Sequence, residues 1–89
     1  MISHTTERFR KAFAELPKQV QHQAKGAYKQ FKKDPFYPSL RFRRVHSTKP
    51  IYSVRITAEY RAVGLQNENE IIWFWIGAHD DYIKLLSRL

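Results

Sequence analysis

The sequence predicts an α+β fold. An N-terminal helical hairpin packs on one face of a four-stranded antiparallel sheet, and a short C-terminal helix follows. Three observations predict it. Apolar residues recur at helical spacing as far as Lys33. From Ser39 onward they alternate, as in half-buried strands. The run Ile71 to Ile76 ("IIWFWI") is bulky on both faces, which suits a central strand covered on both sides. With 89 residues the chain holds one core, so a single domain over residues 1–89 is expected.

Thr6 is placed to cap a first helix running to about Leu16, with Glu7 at the positive end of its dipole. Phe9, Ala12, Phe13 and Leu16 form its apolar stripe. Pro17 is poor inside a helix and good at its start, so it ends one helix and opens the next. The second helix runs from about Pro17 to Lys33, with Val20, Ala24, Ala27, Tyr28 and Phe31 on one face. The small Ala24 and Ala27 are expected to let the first helix approach closely in an antiparallel hairpin. Asp34-Pro35 stops the helix, because the residue before proline avoids the α region.

The strands are read as "SLRFRRV" from Ser39, "IYSVRI" from Ile51, "YRAVGLQ" from Tyr60 and "IIWFWI" from Ile71. "TAEY" makes a short hairpin connection, and Gln66 to Glu70 form a polar turn. Gly77 is read as the residue that lets the chain turn out of the last strand. A final helix from His79 or Asp80 to Leu89 carries Tyr82, Leu85, Leu86 and Leu89 on its apolar face. Asp80 and Asp81 sit at its positive end.

Composition narrows the function. Sixteen Lys and Arg oppose eight Asp and Glu, for a net charge of +8. Such a surface attracts phosphates or an acidic partner. No cysteine is present, so disulfides and thiolate metal sites are excluded. Four scattered histidines make no metal-ligand spacing, and no metal or other cofactor is expected. The N-terminus lacks a secretory signal, and no apolar stretch is long enough for a membrane span. A cytoplasmic location with no membrane contact is the expectation.

Alternation decides what the open face of the sheet carries. If Tyr52, Val54 and Ile56 point to the helices, Ser53 and Arg55 point away, and Arg41, Arg43 and Arg61 are candidates for the same side. Trp73 and Trp75 share one face of the last strand by alternation. Arginines hold phosphates and indoles stack bases, so the parts of an RNA surface are present. Indoles in an apolar run are more often core or protein interface, which is the reading preferred for these two.

The order and wording of these pieces resemble the RelE/ParE toxin superfamily of bacterial toxin–antitoxin systems. The resemblance covers roughly residues 6 to 88. It is carried by "LPKQVQHQAKGAYKQFKKDP", by Tyr52-x-x-Arg55-Ile56, by Tyr60-Arg61 and by the corner Ile76-Gly77-x-His79. That corner looks most like the histidine-bearing, YafQ-like branch. The resemblance implies a small basic toxin neutralised by a cognate antitoxin that covers or distorts its basic face. RelE-like and YafQ-like members cleave messenger RNA on the ribosome, whereas ParE-like members poison DNA gyrase without being nucleases. Carried over by position, His79 matches the corner general acid or base, Arg55 a basic strand position, and Arg61 the arginine of the "YR" strand. Tyr82 lies near a C-terminal aromatic of some members. Ser53 stands where RelE has a lysine. The family's first strand precedes its helices, and with only Met1 to Thr5 available here it is expected to be very short or missing.

The chemistry follows from the residues as well. Metal-free RNA cleavage uses the 2′-OH as nucleophile. A base takes its proton, an acid protonates the leaving 5′-oxygen, and cations stabilise the phosphorane. Histidine can do either proton step near neutrality, and arginine suits the phosphorane. His79, Arg55 and Arg61 are therefore the catalytic candidates. Arg41, Arg43, His46, Ser53 and Tyr82 are the RNA-binding candidates. Asp81 either orients the His79 imidazole or caps the last helix with Asp80, and His79 itself either serves catalysis or merely begins that helix. Three functions stand: an endoribonuclease acting on messenger RNA at the ribosome, a non-enzymatic ParE-type inhibitor of gyrase, and a degenerate member that only binds its antitoxin.

Overall fold

A computed structural model describes all 89 residues, Met1 to Leu89. The order of elements is β1 (Ile2–Thr5), α1 (Glu7–Ala14), α2 (Lys18–Lys33), a 3₁₀ turn (Pro38–Leu40), β2 (Arg43–Arg44), β3 (Ile51–Thr57), β4 (Tyr60–Asn67), β5 (Glu70–Ala78) and α3 (His79–Arg88). The helix boundaries follow local chemistry. The Thr6 hydroxyl accepts the Phe9 N–H at 3.0 Å and starts α1. Pro17 precedes α2, and Asp34 ends it in extended geometry before Pro35.

The sheet has five strands in the order β1-β5-β4-β3-β2. The expected four antiparallel strands are therefore joined by a fifth, because Ile2–Thr5 pairs parallel to β5 in register Ile2 with Glu70 through Thr5 with Trp73. The strand expected to be short or missing is short and present. It shields the edge of β5, whose apolar run would otherwise be an unprotected edge. The span read as a strand from Ser39 is mostly not one. Pro38 opens a 3₁₀ turn, Arg41 is left-handed at φ 46°, and only Arg43 and Arg44 pair with β3.

The two faces of the sheet carry separate cores. On one, Phe31 and Leu40 pack with Val54, Ala62, Ile71, Trp73 and Ile76 beneath α1 and α2. On the other, Ile51, Val63 and Tyr82 pack with Phe74, Trp75, Leu85 and Leu86. The opposite face is thus not left open as expected, because α3 covers part of it. A bulge between Val63 and Gly64 opposite Trp73–Trp75 is responsible for the split of the tryptophans. One extra residue in β5 breaks the alternation, so Trp73 faces α1 and α2 while Trp75 faces α3.

Each indole lies over a glycine. A Cβ on Gly64 would stand 2.8 Å from Trp73 Cε3 and 2.9 Å from Ile71 Cγ1. A Cβ on Gly77 would stand 2.8 Å from Trp75 Cζ2. Gly77 is there for space and not for a turn, since no glycine has positive φ. Gly64→Ala is expected to destabilise the fold by about 1–3 kcal/mol, because Trp73 is only 4% exposed and cannot retreat. Denaturant unfolding of the variant against wild type measures it.

The helical hairpin also differs from expectation. Ala24 and Ala27 do not receive α1. They line a cleft of about 510 Å³ between the helices, with Phe9 and Phe13 on the facing wall and Trp73 in the floor. Tyr28, read as part of the packed face, is 41% exposed at its rim. No helix is long and apolar enough to cross a membrane.

Candidate functional site

The register of β3, β4 and β5 brings the basic residues together. Arg55 pairs directly with Arg61, and Arg61 pairs with Gly77. One row across three strands therefore reads arginine, arginine, glycine on the α3 side of the sheet. Arg43 pairs with Ser53 and joins the same face one row away. His79 follows two residues after Gly77, at the end of β5 and the start of α3. Its backbone N–H donates to Glu59 O at 2.7 Å, which fixes the corner to the β3–β4 turn.

Arg61 is half-buried and held in place. Its Nη1 donates to the carbonyls of Thr57 at 2.6 Å, Tyr60 at 3.1 Å and Ala58 at 3.2 Å. The other guanidinium nitrogens have no protein acceptor, so the group is oriented by one corner and free along the rest. Burial pushes the Arg61 guanidinium below its ordinary value, and the positive charges of Arg55, Arg41 and Arg43 push it further, while Tyr82 opposes them. Arg41, Arg43 and Arg55 thus all lie within electrostatic reach of Arg61. The only ion pairs in the molecule, His4–Glu70 and Lys11–Glu7, lie elsewhere. Four arginines thus cluster without a carboxylate among them, an arrangement with the charge and donors to hold an anion.

The remaining candidates have other partners. Tyr82 is 4% exposed, and its hydroxyl donates to the Ser53 hydroxyl at 3.1 Å, with Ser53 itself 3% exposed. Both residues hold α3 against the sheet and do not present themselves to a ligand. His46 is taken up by its own loop. Its Nδ1 accepts from Lys49 N at 2.9 Å and Thr48 N at 3.1 Å, and Nε2 donates to Leu89 O at 3.0 Å. Arg44 ties the same loop through the carbonyls of His46, Thr48 and Lys49. The His79 ring is exposed, 5.9 Å from the Tyr82 ring, and Asp80 and Asp81 lie in the first turn of α3 beside it. Neither aspartate bonds to the imidazole, which leaves both to the helix dipole. No three His, Asp or Glu side chains converge to hold a metal ion.

A second depression adjoins the row and escaped sequence reasoning. It measures about 360 Å³ and lies between α2, the 3₁₀ turn and the edge of β3, with Arg55 in its lining. The available signal was Gly26, a glycine in the middle of a helical pattern.

A family model for the ParE-like toxin domain matches residues 18–84, which includes the arginine row and the His79 corner. The chain belongs to this toxin family. The resemblance carried by Tyr52-x-x-Arg55-Ile56, Tyr60-Arg61 and the His79 corner is thereby borne out. Solved toxin structures share the fold. A chain of the RelB–RelE antitoxin–toxin complex from Methanococcus jannaschii superposes with a TM-score of 0.74 at 13% identity, covering 92% of this chain and 96% of that one. YafQ from E. coli gives 0.72 at 9% identity over 90% and 94%. The YoeB/ParE toxin from Agrobacterium tumefaciens gives 0.68 at 16% identity over 89% and 99%. No curated protein sequence matches the chain. At these identities the solved structures share the fold of the toxin and no more.

Proposed function

We propose that the toxin is a metal-independent endoribonuclease that cuts messenger RNA on the ribosome and is silenced by a cognate antitoxin. The observation that carries this is the Arg55–Arg61 row, unpaired with any carboxylate, with the exposed His79 two residues beyond Gly77 at the row's far end. Arg61, anchored through Nη1, holds its other donors ready for the charge that grows on the phosphorane. Arg55, free of partners, follows the scissile phosphate. His79 moves one of the two protons, taking it from the 2′-OH or giving it to the 5′-oxygen, and solvent water exchanges the other. Arg41 and Arg43 carry the flanking phosphates.

The antitoxin has two surfaces to use. One is the arginine row. The other is the apolar cleft between α1 and α2, on the far side of the sheet. Trp73 Nε1 and Ser3 Oγ are buried in its lining without partners, and Arg10, Lys25, Lys29 and Lys32 stand around it. An apolar segment with acidic flanks satisfies both features. In the solved RelB–RelE complexes the related fold is bound to its antitoxin.

The ParE-like family match favours a second reading, a non-enzymatic inhibitor of DNA gyrase. One assay separates the two. A translated reporter message is incubated with the toxin, with and without ribosomes, in the presence of EDTA. Cuts that require the ribosome and survive EDTA are expected. A folded toxin that leaves the message whole under all conditions, and inhibits supercoiling by gyrase, overturns the nuclease.

A further inference from the structure

Gly26 sits in the middle of α2, where glycine weakens a helix relative to alanine. Packing gives no reason for it, because a Cβ there would meet no atom within 4 Å. It forms part of the wall of the 360 Å³ cleft beside β3. β2 pairs only with Tyr52 and Ser53, so Arg55 to Thr57 form an uncovered edge that bounds the cleft.

The polar groups around Gly26 are unused by the protein. Gln23 and Gln30 flank it on α2, and Tyr37, Ser39 and Arg55 complete the lining. The glutamine side chains that bond within the fold are Gln21 and Gln66, not these two. The arginines that bond within the fold are Arg10, Arg44 and Arg61, not Arg55. Lys25, Lys29 and Lys32 of the same helix line the apolar cleft instead. The cleft is therefore neutral and polar, with one arginine at the border of the cationic row.

That composition suits a base and not a second phosphate. We infer that this cleft receives one unpaired nucleobase of a single-stranded RNA whose adjoining phosphate is held by Arg55, the one arginine of the row that reaches the cleft from the strand edge. An amide offers a donor and an acceptor in one plane, as a base edge does. Gln23 and Gln30 are two helical turns apart, roughly 10 Å, and leave the space over Gly26 between them. Tyr37 is 44% exposed and offers a ring for stacking. A side chain at position 26 would occupy the place of the base.

The inference rests on the RNA reading of the arginine row, and its test separates the two. Isotope-labelled toxin is titrated with inorganic phosphate and with each of the four nucleoside 3′-monophosphates, following the side-chain amide signals of Gln23 and Gln30. At least one nucleotide is expected to shift both signals and to bind about tenfold more tightly than phosphate. Gly26→Leu is expected to abolish that gain, to keep phosphate binding and to melt no lower than wild type. Gln30→Leu removes an amide without filling the cleft and is expected to weaken the same gain. Nucleotides that bind no tighter than phosphate, or a Gly26→Leu variant that binds them as wild type does, overturn the inference. Message cleavage is measured in parallel. Cleavage with no base-dependent binding defeats the cleft and leaves the nuclease standing. Base-dependent binding with no cleavage defeats the nuclease and leaves the cleft standing.

Discussion

His79→Ala is expected to slow message cleavage by about 10²–10⁴-fold, the range for losing a positioned general acid or base. The fold should not register the change. The ring is exposed and accepts or donates no hydrogen bond, while the backbone N–H that binds Glu59 O is retained by alanine. An exposed site without partners shifts stability by about 0.5 kcal/mol or less. Activity and stability are thus separable at this residue, as they are not at Arg61. His79→Gln extends the test, since glutamine keeps polar reach and cannot shuttle a proton near neutrality. It should be as slow as alanine. Single-turnover cleavage on programmed ribosomes, read beside a melting curve, measures both quantities. Wild-type rates in either variant would remove His79 from the mechanism.

What could be read in the chain was set by the length and contrast of each signal. The helices were legible because each has its own punctuation, Thr6 before α1, Pro17 before α2 and Asp34-Pro35 after it. Cross-strand placement of Arg55 and Arg61 was legible because polar and apolar residues alternate around them. β1 was not, because four residues show no period and their parallel partner lies more than sixty positions away. The bulge in β5 was invisible for a different reason. In "IIWFWI" every residue is apolar, so a slip of one position changes no visible pattern. That slip moved Trp75 to the α3 face and gave Gly77 its purpose. Ser53, Tyr82 and His46 were chosen as contact residues by type and position. Their hydrogen bonds depend on where α3 and the chain end pack, which no local pattern encodes.

Arg55→Ala is expected to do two opposite things, and the pairing is the sharper test of the site. Cleavage should fall by about 10²–10³-fold, the usual loss when one donor to a developing oxyanion is removed. Stability should rise. Arg55 is half-buried, bonds to nothing in the fold and stands directly opposite Arg61. Like charges in that relation destabilise a sheet by about 0.2–1 kcal/mol. For a domain of this size that corresponds to a melting temperature higher by a few degrees, at about 4–8 °C per kcal/mol. The gain should shrink as salt is added, because screening already relieves the repulsion in wild type. Arg61→Ala provides the contrast. It removes the same charge repulsion and also strips three carbonyls of the β3–β4 turn of their donor. Hydrogen bonds from a charged donor contribute about 1.5–3 kcal/mol, so this variant should melt lower despite the relief of charge. Opposite shifts from two neighbouring arginines, with both variants inactive, identify Arg55 as a charge kept for its ligand at the expense of the fold. A melting temperature for Arg55→Ala at or below that of wild type in low salt would show instead that Arg55 supports the sheet, and the anion site would lose its main argument.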